Sequence, residues 1–164
     1  MLIKKFFIIV TGANGSGKTT FALNFALLQH LDFINADEIA KEYDPNDIQK
    51  YKVTAGKIFF EKVIYKAHKA GFFVSLIYLY LDNNLENILR VKNRVLAGGH
   101  NVPERDIVRR YTRSKHLFLT LYKELVDEWS LFYNGDDTFE LIANNHIMID
   151  ETTYNNFLKD IDYE

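Results

Sequence analysis

Apolar positions along this chain change period several times, and each change marks an element. Phe6-Phe7-Ile8-Ile9-Val10 is a continuous apolar run of strand type. Beyond a glycine-rich break, Phe21, Ala22, Phe25, Ala26 and Leu28 recur at helical spacing. Leu31-Asp32-Phe33-Ile34-Asn35 reads as a second short strand, with a short helix after it through Tyr43. From Asn46 to Ala70 the apolar residues Ile48, Val53, Ile58, Phe59, Val63 and Ala67 alternate with lysines. That spacing predicts one long helix, closed by Gly71 in the C′ position. Phe72 to Leu81 is almost wholly apolar, as a buried parallel strand requires. Helices are expected over about Asn84 to Leu96 and from Pro103-Glu104 onward, separated by Gly98-Gly99-His100. Proline suits a first helical position, and an acid suits a first turn. Trp129–Tyr133 and Phe139–Ala143 are expected as short strands around the turn Asn134-Gly135. A last short strand and helix fall between Ile147 and Ile161. The alternation predicts a single α/β domain over residues 1–164, a three-layer sandwich with a mainly parallel sheet.

The break after the first strand is Gly12-Ala13-Asn14-Gly15-Ser16-Gly17-Lys18-Thr19, with Thr20 following. Strand, glycine-rich loop and helix are the context of a Walker A phosphate loop, which makes the sandwich one of P-loop NTPase, kinase-like type. Gly12, Gly15 and Gly17 permit backbone conformations closed to other residues, so several N–H groups can point at one phosphate chain. The helix N-terminus adds the positive end of its dipole. Lys18 would reach the β- and γ-phosphates, and the Thr19 hydroxyl would serve Mg²⁺. Gly12 through Thr20 is therefore the expected nucleotide-binding set, set against a surface loop that merely happens to be glycine-rich.

All six arginines fall between residues 90 and 113: Arg90, Arg94, Arg105, Arg109, Arg110 and Arg113. Arg90 and Arg94 are four apart on one expected helix, and Arg105, Arg109 and Arg113 repeat that interval on the next. Guanidinium is favoured where bidentate phosphate contact matters. A phosphoryl-transfer enzyme needs such groups on the γ-phosphate and a lid to exclude water. The competing view is a solvated helical face, for which Glu86, Glu104 and Asp106 supply partners. Asp37 stands at the end of the second expected strand, on the sheet edge where ligands of open α/β sheets gather. There it is either a base for an acceptor hydroxyl or a cap for the helix beginning at Glu38.

Composition narrows the setting. Hydrophobic residues make up 48% and aromatics 15% of 164 residues, enough for a dense core of Phe and Tyr. A net charge of −2 gives no reason to expect nucleic acid or an anionic membrane as partner. The chain has no cysteine and no apolar run approaching the roughly 18 residues of a membrane span, and Met1–Val10, short and soon followed by the glycine loop, is not expected to be a signal peptide. A soluble, cytoplasmic protein is expected.

In motif order the chain resembles the zeta-toxin family of small kinases. The matching pieces are GANGSGKTTFA at 12–22, FINADEIA at 33–40, AGKIFFE at 55–61, LIYLYL at 76–81, RVKNRVLAGGHNVPERDIVRRYTRS at 90–114 and DEWSLFYN at 127–134. The resemblance implies ATP- or GTP-dependent phosphorylation, with Mg²⁺, of a hydroxyl on a nucleotide sugar such as UDP-N-acetylglucosamine. It also implies toxicity through blocked cell-wall synthesis and an antitoxin protein as partner. By the same analogy Lys18 and Thr19 hold phosphates and metal, Asp37 is the base, and Arg94, Arg109 and Arg110 clamp phosphate. One departure stands out. Family members carry, after the AGKIFFE-like helix, a strand with a Phe-Glu-Thr-Thr-like motif and a further helix. Here Phe60-Glu61-Lys62-Val63 runs straight into Ile64–Gly71, as if two helices had fused and the acceptor-binding strand between them were missing. Its loss would leave a gap beside the first strand or let the second pair with it directly. A nucleotide-binding remnant that acts through a partner is the alternative function.

Overall fold

The computed structural model describes residues 5–32, 54–135, 138–159 and 161. In chain order these form β1 (Lys5–Gly12), α1 (Lys18–Gln29), α2 (Thr54–Lys69), β2 (Phe72–Tyr80), α3 (Asn84–Leu96) and α4 (Glu104–Leu117). A π-helical turn (Phe118–Tyr122), the short α5 (Lys123–Leu125), β3 (Glu128–Tyr133), β4 (Glu140–Asn144) and α6 (Glu151–Leu158) complete the order. The four strands make one sheet in the order β1-β2-β3-β4. β1, β2 and β3 are parallel, and β4 is antiparallel to β3 with an irregularity between Leu131 and Phe132. A mostly parallel sheet with helices is thus present, as the alternating pattern predicts.

Parallel strands are buried because their crossovers lay helices over both faces. Side chains alternate between faces along each strand. Leu76, Tyr78 and Tyr80 of β2 share one face with Ile9 and Leu131, and there they meet Phe118, Phe157 and Phe60. Ile77 and Leu79 point the other way, with Ile8, Val10 and Phe132, onto Phe21 and Phe25 of α1. The aromatic wealth of the sequence is spent here. Tyr78 lies 4.8 Å from Phe118 and 5.6 Å from Phe157, ring centre to ring centre. A smaller cluster of Ile88, Val91 and Ile107 joins α3 to α4.

Two boundaries differ from the pattern. Pro103 caps α4 from outside rather than opening its first turn. Asn134-Gly135 is no two-residue hairpin turn: β4 begins only at Glu140, and the Asn134 side chain is used elsewhere. Gly71 does close α2 with a positive φ of 79°. Leu31 and Asp32 are irregular, while Phe33–Asn35, the expected helix through Tyr43 and the first part of the long helix lie outside the described residues. No helix among the described residues is long and apolar enough to cross a membrane.

Candidate functional site

The glycine loop sits where β1 hands over to α1, at the carboxyl end of the parallel strands. Gly12, Gly15 and Gly17 have φ of 142°, 81° and 88°, in the region that favours glycine. Each also stands too close to a neighbour for any side chain. A Cβ on Gly12 would collide with the Leu79 carbonyl, one on Gly15 would come within 2.6 Å of the Asn87 carbonyl, and one on Gly17 would strike the Asn134 amide. The loop is therefore built around bare backbone. Gly17 leads into α1, whose first amides have no preceding helical carbonyls to bond.

Lys18 folds back over the loop, its Nζ donating to the Ala13 carbonyl at 2.7 Å. Thr19 and Thr20 are exposed in the first turn of α1. Ser16 is fully buried, and its Oγ has no hydrogen-bond partner among the described residues.

Three side chains from distant elements brace the loop from outside. Asn87 of α3 donates from Nδ2 to the Asn14 carbonyl at 2.6 Å. Asn134, just past β3, donates to the Ser16 carbonyl at 3.0 Å. Arg110 of α4 donates from Nη1 to Asn14 Oδ1 at 3.1 Å. Behind them, one Nη of Arg90 serves both Glu86 Oε1 and the Asn134 carbonyl at 2.9 Å. Two loop carbonyls, those of Asn14 and Ser16, are thus held by amide donors from outside the loop.

Among the arginines of the expected clamp, Arg110 alone is brought to the loop among the described contacts. Arg94 donates to the His100 carbonyl at 2.8 Å, closing the turn after α3. Arg109, on the exposed side of α4, pairs with Asp106 at 3.2 Å. Asp37 lies outside the described residues. Arg90, Asn87 and Asn134 were missed as site residues. The first was visible as a member of the arginine cluster; the two asparagines carry no signal in sequence, since their partners lie 73 and 118 positions away.

The chain matches no protein-family model, no curated protein and no solved structure. Among the described residues no group of three His, Cys, Asp or Glu could hold a metal ion. A cavity of about 480 Å³ lies on the α1 face, lined by Phe6, Ile8, Phe25, Ile77, Phe132 and Glu128 among its walls. It contains none of the loop residues, so the cavity and the candidate site are separate places.

The phenol groups packed on the sheet face opposite α1 stay protonated. Burial pushes Tyr78 and Tyr80 far above the ordinary tyrosine range, and burial likewise raises Tyr122. Tyr111 instead works as a structural donor, its hydroxyl reaching the Leu81 and Asp82 carbonyls at 3.0 and 2.9 Å. That contact pins α4 to the end of β2, next to the loop.

Proposed function

We propose that this chain is a P-loop kinase of zeta-toxin type, a phosphotransferase that takes the γ-phosphate of ATP or GTP to a hydroxyl of a small acceptor, a nucleotide sugar by resemblance. One observation carries the reading: three glycines at positive φ line a side-chain-free cradle at a strand–helix joint, with Lys18 folded over it. Phosphate is the ligand that such a cradle suits, because backbone N–H groups, a helix N-terminus and one lysine all favour an anion. Mg²⁺ fits as well. The Thr19 hydroxyl would hold it together with phosphate oxygens and water, and it would neutralise charge shared by the β- and γ-phosphates.

In the reaction the acceptor oxygen forms a bond to the γ-phosphorus while the bond to the β–γ bridging oxygen breaks. The hydroxyl proton passes to the Asp37 carboxylate, and the nucleoside diphosphate leaves. Lys18 and Arg110 balance charge on the phosphoryl oxygens, and the helices that carry the arginines would shield the site from water.

The test is direct. With labelled ATP or GTP, Mg²⁺ and a panel of nucleotide sugars, the purified chain is expected to label an acceptor. Calorimetry is expected to show Lys18→Ala and Thr19→Ala each weakening Mg-nucleotide binding, and unchanged affinity in both would remove the phosphate-loop reading. Asp37→Asn is expected to keep nucleotide affinity and lose on the order of 10²–10⁴ in transfer rate.

A second reading has an observation in its favour. One helix, α2, runs unbroken over Thr54–Lys69 and β2 follows at Phe72, so the chain is helical where the family's pattern has its acceptor-binding strand. Tight nucleotide binding without transfer to any acceptor would favour a binding remnant that acts through a partner such as an antitoxin protein.

A further inference from the structure

Loops of this kind bind phosphate through backbone amides, which leaves the Asn14 side chain without an evident task. Yet it is engaged. Arg110 reaches across 96 positions of sequence to donate to Asn14 Oδ1, while Asn87, fully buried, holds the carbonyl of the same residue. Asn14 is thus the point at which α3 and α4 both touch the loop. The backbone at Arg110 is already fixed, since its neighbour Tyr111 is tied to the end of β2. What a long arginine still needs is a direction for its head group, and ordering that head costs rotamer freedom. A guanidinium carries five N–H donors in a planar fork, so one bond to an amide oxygen leaves most of the fork for a second acceptor.

We propose that Asn14 is a positioning residue: its carboxamide stations Arg110 at the mouth of the loop, where the fork meets the terminal phosphate of a nucleoside triphosphate, and so sets a preference for triphosphate over diphosphate. The inference rests on the phosphate-loop reading above. A diphosphate fills the loop but offers Arg110 no terminal oxygens. A triphosphate adds charged acceptors, which bind a guanidinium more strongly than a neutral amide does. A brace that only shaped the loop would act on both nucleotides alike.

Affinities for ADP and for the non-hydrolysable analogue AMP-PNP, measured by calorimetry on the full chain with Mg²⁺, separate these cases. The readout is the ratio of the two Kd values in the unmodified chain, Asn14→Ala, Arg110→Ala and the double variant. The unmodified chain should favour AMP-PNP by about tenfold or more, the scale of one hydrogen bond to a charged group. Each single variant should lose most of that preference, and the double variant should be no worse than Arg110→Ala, because Asn14 acts through Arg110. Asn14→Leu keeps the bulk without the acceptor and serves in place of Asn14→Ala if that variant does not fold. The inference is overturned if the ratio is near one in the unmodified chain, if the Asn14 variants weaken both nucleotides equally, or if the two single effects multiply. Binding of neither nucleotide by the unmodified chain is a different failure, that of the phosphate-loop reading itself, and the inference falls with it.

Discussion

Gly17 and Gly71 hold similar backbone, with φ of 88° and 79°, in very different surroundings. Nothing lies within 4 Å of where a Gly71 side chain would start, whereas at Gly17 the Asn134 amide occupies that space. Gly71→Ala should therefore cost only the left-handed backbone term, about 1–2 kcal/mol. Gly17→Ala should cost that and also push Asn134 off the Ser16 carbonyl, a bond between buried groups worth about 1 kcal/mol or more. Urea denaturation of the two variants is expected to show the larger loss at Gly17, together with weakened nucleotide binding there alone. Equal losses would mean that Asn134 gives way freely. The need for glycine at position 17 is legible from the loop's spacing. Its second reason, the asparagine 118 positions away from Ser16, is not.

At the scale of elements, α6 depends on a cap that pH can remove. Asp150 Oδ1 accepts the Thr153 amide at 3.0 Å, and its other oxygen accepts the Thr153 hydroxyl at 2.6 Å. The hydroxyl bond first, and the amide bond after it, favour the carboxylate and hold its pKa below the ordinary range. A lowered folded-state pKa contributes stability that is present above the unfolded-state pKa and lost as pH falls through the folded one. Asp150→Ala should therefore melt lower than the parent near neutral pH, with the gap narrowing in acid. A thermal melt of both proteins across that range checks it, and a constant gap would mean that the cap acts without its charge. The pattern of the tail gives a short strand and a helix but not this cap. The π-helical turn after α4 was likewise invisible in sequence. Its Phe118 is fully buried against Trp129, Tyr78 and Phe157, and such packing arises only once the sheet exists.

Across the whole molecule, the face of the sheet opposite α1 is closed by a residue near the end of the chain. Phe157 is fully buried, with Tyr80 and Tyr78 4.9 and 5.6 Å away and the Lys115 ammonium 5.1 Å above its ring. Lys115, itself buried, also donates to the Lys159 carbonyl at 3.1 Å, tying the end of α6 to the helix that carries Arg110. Phe157→Ala should cost about 3–5 kcal/mol, which lowers the melting temperature by on the order of 10 °C for a domain of this size. Below that transition the nucleotide affinity proposed above should change little, because the rings described against Phe157 are those of Tyr78, Tyr80, Phe118 and Tyr154, outside the loop. A small shift in melting would show that the aromatic cluster repacks around the loss.

The sequence by itself determined what depends on neighbours in the chain. A continuous apolar run makes β2 a buried strand, helical spacing makes α1 and α3, and three glycines with a lysine make a cradle, because period and backbone freedom are local properties. Among the described residues, the tertiary structure alone decided which residues meet across distance. It set the strand order β1-β2-β3-β4, chose Arg110 rather than Arg94 or Arg109 as the arginine on the loop, and brought Asn87 and Asn134 against it. Spacing places arginines on a helix face. Which of them reaches the loop depends on how that helix is rotated and anchored, here by Tyr111 on the end of β2, and that follows from packing over the whole sheet.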